Sequence, residues 1–244
     1  RDLIGVDKAG ASFPEDAVGP SGFYAPGPVS VLEGRYLMDA ADAAGQSVSS
    51  AKLQSLIGCN PTSMGEEPCA RKFVTEFGRR AFRRPLKPRE VETLLGFFSQ
   101  ARKTIAATFV EAARLVVRAV MQSPRFLYHD EAISKVPEAD GLVALDSHAL
   151  ASRLSYLIWR SMPDDALFTA ADEGRLASAE DIARETRRMI ADPRFRATLE
   201  SFHLQWLGIK ELTQATKDPV LFPMFDDALS ASMQRETVEF VTQV

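Results

Sequence analysis

Apolar residues in this chain recur every three to four positions and are punctuated by proline and glycine, the signature of amphipathic helices. From Cys69 onward, Ala70, Phe73, Val74, Phe77 and Ala81 share one helix face, and Pro85 ends the element. Pro88 suits a first helical turn, so Val91, Leu94, Leu95 and Phe98 mark a second helix. A third, over about Ile105 to Gln122, is apolar around most of its circumference and is expected to be central. Ser123-Pro124 stops it, and Phe126-Leu127-Tyr128 reads as extended.

The second half repeats the theme. Asp146 caps a helix carrying Leu150, Leu154, Leu157 and Ile158. Met162-Pro163-Asp164-Asp165 is a break and restart, and Gly174 closes the short helix that follows. Ser178 and Asp181 resemble a capping box, opening a helix with Ile182, Thr186, Met189 and Ile190 inward. Asp192-Pro193 starts another, with Phe195, Leu199, Phe202 and Trp206 on one stripe. A last helix begins near Asp226. Turn formers dominate the first 30 or so residues, where Phe13, Phe23 and Tyr24 suggest a packed loop, and a short helix is expected from Val31 to about Ala44, ending at Gly45. No strand or hairpin pattern is present and no heptad persists. The expected fold is all-α: an orthogonally packed multi-helix array with an irregular Pro/Gly-rich N-terminal segment.

Composition narrows the function classes. The chain has 244 residues, 45% hydrophobic and 25% charged, the balance of a globular soluble protein. A formal net charge of -4 argues against a dedicated nucleic-acid binder, and three histidines exclude a histidine-rich metal site. No run approaches the ~18 apolar residues that a membrane span needs. Both ends read as interrupted elements, so the chain is expected to be a piece of a longer protein.

Four groups of residues are candidates for chemistry or bracing. Cys59 and Cys69 are the only cysteines, spaced wrongly for a redox pair, a zinc knuckle or haem attachment. We favour a disulfide stapling the short turn-rich loop over two free thiols. Arg79, Arg80, Arg83 and Arg84 form a candidate docking patch, set against the plainer reading of cations that favour a helix C-terminus. Arg153, on a strongly apolar helix, is expected to be buried and to form a structural ion pair with Asp164 or Asp165. His203 and Trp206 are candidates for a pocket, although a lone histidine beside an aromatic stripe is more often a core residue. His129 and His148 are weaker candidates. No nucleophile elbow, phosphate loop or metalloprotease motif occurs, so no catalytic residue is assigned.

Three segments resemble bacterial domain families. Arg1-Asp2-Leu3-Ile4-Gly5-Val6-Asp7, with Phe13-Pro14 and Tyr36-Leu37, resembles the tail of domain-of-unknown-function family 1587. Cys69-Ala70-Arg71 through Phe77-Gly78-Arg79-Arg80-Ala81-Phe82-Arg83-Arg84-Pro85, then Ser123-Pro124-Arg125-Phe126-Leu127-Tyr128, is similar to family 1595. Leu150 to Trp159, Met162-Pro163-Asp164-Asp165, Glu173-Gly174-Arg175-Leu176, Met189, Asp192-Pro193 and Gln205-Trp206-Leu207 resemble family 1592. The corresponding division is 1–58, 59–131 and 145–244, with a boundary near 132–145. The resemblance implies a large periplasmic or secreted multidomain protein of planctomycetes and myxobacteria, often carrying a cytochrome-c-like domain. No cofactor is expected in this chain, with haem c confined to missing domains. The expected partners are the remaining domains of its own chain, a cytochrome or another extracytoplasmic protein, with no nucleic acid and no membrane span. The sequence reads as a non-catalytic scaffold or docking module. The alternative is part of an enzyme or haem-associated electron-transfer unit completed by missing domains.

Overall fold

Ser30 accepts the Glu33 N–H while Glu33 reaches back to the Ser30 N–H, so the first helix opens with a reciprocal cap. The computed structural model describes residues 2–6, 30–129, 144–209, 212 and 215–243. Those residues form helices without a strand: α1 (Val31–Ser47), α2 (Ser50–Ile57), α3 (Pro61–Met64), α4 (Glu66–Phe82), α5 (Pro88–Thr104), α6 (Phe109–Met121), α7 (Pro124–Leu127), α8 (Ser147–Trp159), α9 (Asp165–Asp172), α10 (Ala179–Ile190), α11 (Arg194–Trp206) and α12 (Asp227–Gln243). The chain divides into two compact units. Unit 1 comprises residues 1–13, 29–156 and 161–183, and unit 2 comprises residues 14–28, 157–160 and 184–244.

In unit 1, α6 is the helix that others pack around. It meets α1, α2, α4, α5 and α7. Thr108 and Glu111 cap it reciprocally, and Ala112, Ala113, Val116, Val117 and Val120 lie fully buried along it. Its partner α1 approaches closely through Ala40, Ala41, Ala44 and Gly45. A Cβ on Gly45 would lie 2.6 Å from the Arg118 side chain, which explains why α1 continues through this glycine to Ser47 rather than ending there. Arg118 Nε donates to Asp42 at 2.6 Å, and Arg114 donates to the Gln46 and Val48 carbonyls at 2.9 and 2.6 Å. These contacts satisfy carbonyls that the end of α1 leaves without helical partners.

Several expectations shift. The central helix begins at Phe109, because the Thr108 cap restarts the chain after α5, and Ile105 is exposed. Phe126 and Leu127 belong to a helical turn, α7, whose start is fixed by Ser123 accepting the Arg125 N–H. The opening loop with Phe13, Phe23 and Tyr24 and the boundary at 132–143 lie outside the described residues.

Unit 2 is built differently. Trp159 anchors it: the indole Nε1 donates to the Met189 carbonyl at 2.9 Å, and the Arg194 guanidinium lies 3.4 Å from the ring centroid. Pro193 stands at the N-cap of α11, Asp192 accepts the Arg194 N–H at 2.9 Å just before it, and α11 packs on α12. Neither helix has a conventional buried stripe: none of α11 is buried, and only Ser230 is in α12. The expected inward positions Leu157, Ile190, Phe202 and Trp206 are all exposed.

Candidate functional site

The four arginines at the end of α4 are put to different uses. Arg79 pairs with Asp172 at 2.5 Å and lies over the Phe168 ring. Arg80 is exposed. Arg84 makes two contacts of 2.9 Å with Glu90, which also receives Arg125 at 2.9 Å. Arg83 is buried, sits in the left-handed region at φ 59°, and ends α4. Its guanidinium donates to the carbonyls of Ala81, Phe126, Arg125 and Tyr128 at 3.1, 3.1, 2.9 and 2.7 Å. Arg83 thereby clamps the carbonyl end of α7 against α4. A reach of that kind is available to arginine and to few other side chains.

Beside this clamp is a cavity of about 190 Å³ within unit 1. Phe82, Arg83 and Arg84 form one wall. Asp146, His148, Ala149, Ser152, Arg153 and Tyr156, from the start of α8 and the turn before it, form another, with His129 at the rim. The α8 side chains belong together because Ala149, Ser152, Arg153 and Tyr156 are spaced at three and four residues, one helix face. Asp146 Oδ1 caps α8 by accepting the Ala149 N–H at 2.7 Å. His148 Nε2 lies 2.9 Å from Asp172, and the His129 ring stands edge-on to Tyr156 at 4.3 Å. Burial pushes the Asp172 carboxyl upward, but hydrogen bonds from His148 and Arg79 outweigh it and hold the pKa below the ordinary value. The Arg84 hydrogen bonds, helped by the Lys87 N–H and the Arg125 charge, hold Glu90 at about 2.

The remaining candidates fall elsewhere. Cys59 and Cys69 form a disulfide, with Cα atoms 5.7 Å apart, so neither offers a thiol for covalent haem attachment. Arg153 is exposed rather than buried. Asp164 Oδ1 caps α9 by accepting the Leu167 N–H at 2.9 Å, and Asp165 is exposed in the first turn. His203 Nδ1 contacts the Leu199 carbonyl one turn back at 2.8 Å. It and Trp206 belong to unit 2, whereas Arg153 and Asp164 belong to unit 1.

Sequence reasoning missed the cavity, held His148 only as a weak candidate and gave Ser152 and Tyr156 no role. The helical spacing of the α8 face was the available signal. What lies opposite it, at residues 82–84, was not readable along the chain.

Among the described residues, no group of three or more His, Cys, Asp or Glu side chains gathers to hold a metal ion. Nor is any helix of those residues long and apolar enough to cross a membrane. No curated protein and no solved structure matches the chain. Two family models do: residues 69–131 match PSD5, described as a protein of unknown function (DUF1595), and residues 145–244 match PSD4, described as a protein of unknown function (DUF1592).

Proposed function

We propose that this chain is a non-catalytic helical docking module of a larger extracytoplasmic, redox-linked multidomain protein. The observation that carries the reading is the apolar surface of unit 2. Trp206, Val220, Leu221, Met224 and Phe240 are all more than half exposed, Met224 at 80%. Exposed apolar residues also occur in unit 1, Val31 and Ile105 among them, but in unit 2 most of the large apolar residues are exposed, which favours an interaction surface there. Unit 1 supports the same reading from the opposite side, since its arginines brace helices through carbonyls and carboxylates. The disulfide fits an oxidising extracytoplasmic compartment. The redox link rests on the resemblance to cytochrome-containing multidomain proteins. The partner is a further domain of the same polypeptide, a cytochrome or another extracytoplasmic protein.

Hydroxyl-radical footprinting read by mass spectrometry tests this. In the isolated chain Trp206 and Met224 label readily, while buried Trp159 and Met189 stay dark as internal controls. In the assembly isolated from its natural source, Trp206 and Met224 are expected to become protected. Equal labelling in both samples would remove the docking role.

A further inference from the structure

The disulfide joins two sulfurs in unlike surroundings. Cys69 stands in the first turn of α4, belongs to the core of unit 1 and is inaccessible to solvent. Cys59 is half-buried and packs against the outside of that core. The chain around it is exposed: from Gly58 to Pro68 only Cys59 and Pro61 are even partly covered, and α3 buries nothing. Other ties of this segment lie at the surface. They include Lys72 Nζ donating to the Gly58 carbonyl at 3.1 Å and Arg102 donating to Glu66 at 2.7 Å. The covalent bond to Cys69 is thus the anchor that carries a surface loop into the core. Thiol–disulfide exchange needs a thiolate to reach one of the two sulfurs, so the burial of Cys69 leaves a single point of entry at Cys59.

We propose that this bond is an exchange site for an external dithiol, with Cys59 the attacked sulfur and Cys69 the leaving group. The first thiolate of the dithiol bonds to Cys59 Sγ, the bond between the two cysteines breaks, and its electron pair leaves on Cys69 Sγ. The second thiol, once deprotonated, attacks the dithiol's own sulfur in the mixed disulfide and releases Cys59 as a thiolate. Two electrons pass from the dithiol to the cysteine pair. The dithiol ends as a disulfide, and its two protons end on Cys59 and Cys69. Reduction frees the loop from Gly58 to Gly65 and unpins the first turn of α4. The interior of unit 1 keeps its packing, because Val116, Val117 and Val120 on α6 and Phe73 and Val74 farther along α4 are buried without help from the loop. The bond therefore acts as a reversible latch on a surface segment. This assignment is independent of the apolar surface of unit 2, and neither needs the other.

The test uses the unsubstituted 244-residue chain and dithiothreitol as the dithiol. Reduction is followed by mass spectrometry in buffer and in urea too dilute to unfold the chain. The expected rate is the same in both, because the attack takes place on the folded protein. A rate that rises with urea in step with unfolding would overturn the inference. The reduced chain is then given a short pulse of iodoacetamide, and Cys59 is expected to be alkylated at least about tenfold faster than Cys69. Equal labelling of the two would also overturn it. Hydrogen exchange of the reduced chain supplies the third readout. Residues 58–65 are expected to lose protection while α6 keeps its own, and equal loss in both would show a staple of the core in place of a latch.

Discussion

Among the described residues, unit 1 buries most of its large apolar side chains, whereas unit 2 displays most of its own. Phe73, Leu53, Ile57, Val116, Val117 and Val120 in unit 1 are all inaccessible to solvent or nearly so. In unit 2 the helix pair α11 and α12 contributes one buried residue, Ser230, while Phe240 and Trp206 face solvent. Hydrophobic burial is the main favourable term in folding, so these units have unequal claims to stability on their own. A helix pair with this little interior is expected to be the first part of the chain to open. The contrast also separates two uses of similar residues, a core that makes a fold and a surface that waits for one.

The largest effect expected from this contrast comes from truncating one phenylalanine in each unit. Phe73→Ala, which removes a fully buried ring stacked on Phe77 at 5.6 Å, should lower the stability of unit 1 by about 3–5 kcal/mol. Phe240→Ala, 71% exposed, should change that of unit 2 by less than about 0.5 kcal/mol. Both tryptophans lie in unit 2, so indole fluorescence follows that unit in a denaturant titration while far-ultraviolet circular dichroism follows the whole chain. Coincident transitions for the two probes would break the distinction. The disulfide comes next. Replacing Cys59 and Cys69 with serine should destabilise unit 1 by about 2–4 kcal/mol. The tryptophan transition should stay where it is, since unit 2 contains no cysteine.

The smallest effect is with acid. Glu90 in unit 1 and Asp192 in unit 2 are both held at about 2, the first chiefly by its hydrogen bonds from Arg84 and the second chiefly by those from Arg194. A carboxylate with a depressed folded-state pKa contributes stability that is present above its unfolded value and is lost as pH falls through the folded one. Denaturation midpoints should therefore drop from roughly pH 4.5 toward pH 2. Glu90→Gln should flatten that slope in unit 1, and Asp192→Asn should flatten it in unit 2. If neither substitution changes the slope, the arginine contacts carry none of the acid sensitivity.

Local signals were legible and long-range ones were not. The all-α class, the start of α5 at Pro88 and the cap at Asp146 are short-range patterns, and the structure has them, whereas α11 begins one residue later than Asp192-Pro193 implies, with Pro193 at its N-cap and Asp192 holding the Arg194 N–H. The disulfide followed from two cysteines across one loop. Helices α2 and α3 were missed because each is too short to show a period, although Ser49 caps one and Pro61 opens the other. The turn in α7 was misread as extended although the Ser-Pro pair at its start was a visible cap. Gly45 read as a stop because the closeness of α6, which makes a glycine useful inside a helix, is absent from the local sequence. The stripe on α11 kept its helical period, but a period does not say whether the apolar face is covered. The cavity required residues 82–84 and 146–156 to meet, a relation no local pattern encodes.

The backbone at Arg83 narrows the set of substitutions the protein can tolerate. A left-handed residue with a Cβ is disfavoured by roughly 1–2 kcal/mol, and glycine or asparagine would relieve that. Neither can reach the four carbonyls at the end of α7 and α4. Lysine reaches farther than either, but its single ammonium cannot span them as a planar fork does. Side chains that suit the backbone thus fail at the clamp, and those that reach the clamp strain the backbone. A substitution at Arg83 is therefore expected to lose either the clamp or the relaxed backbone, and no other residue type keeps both.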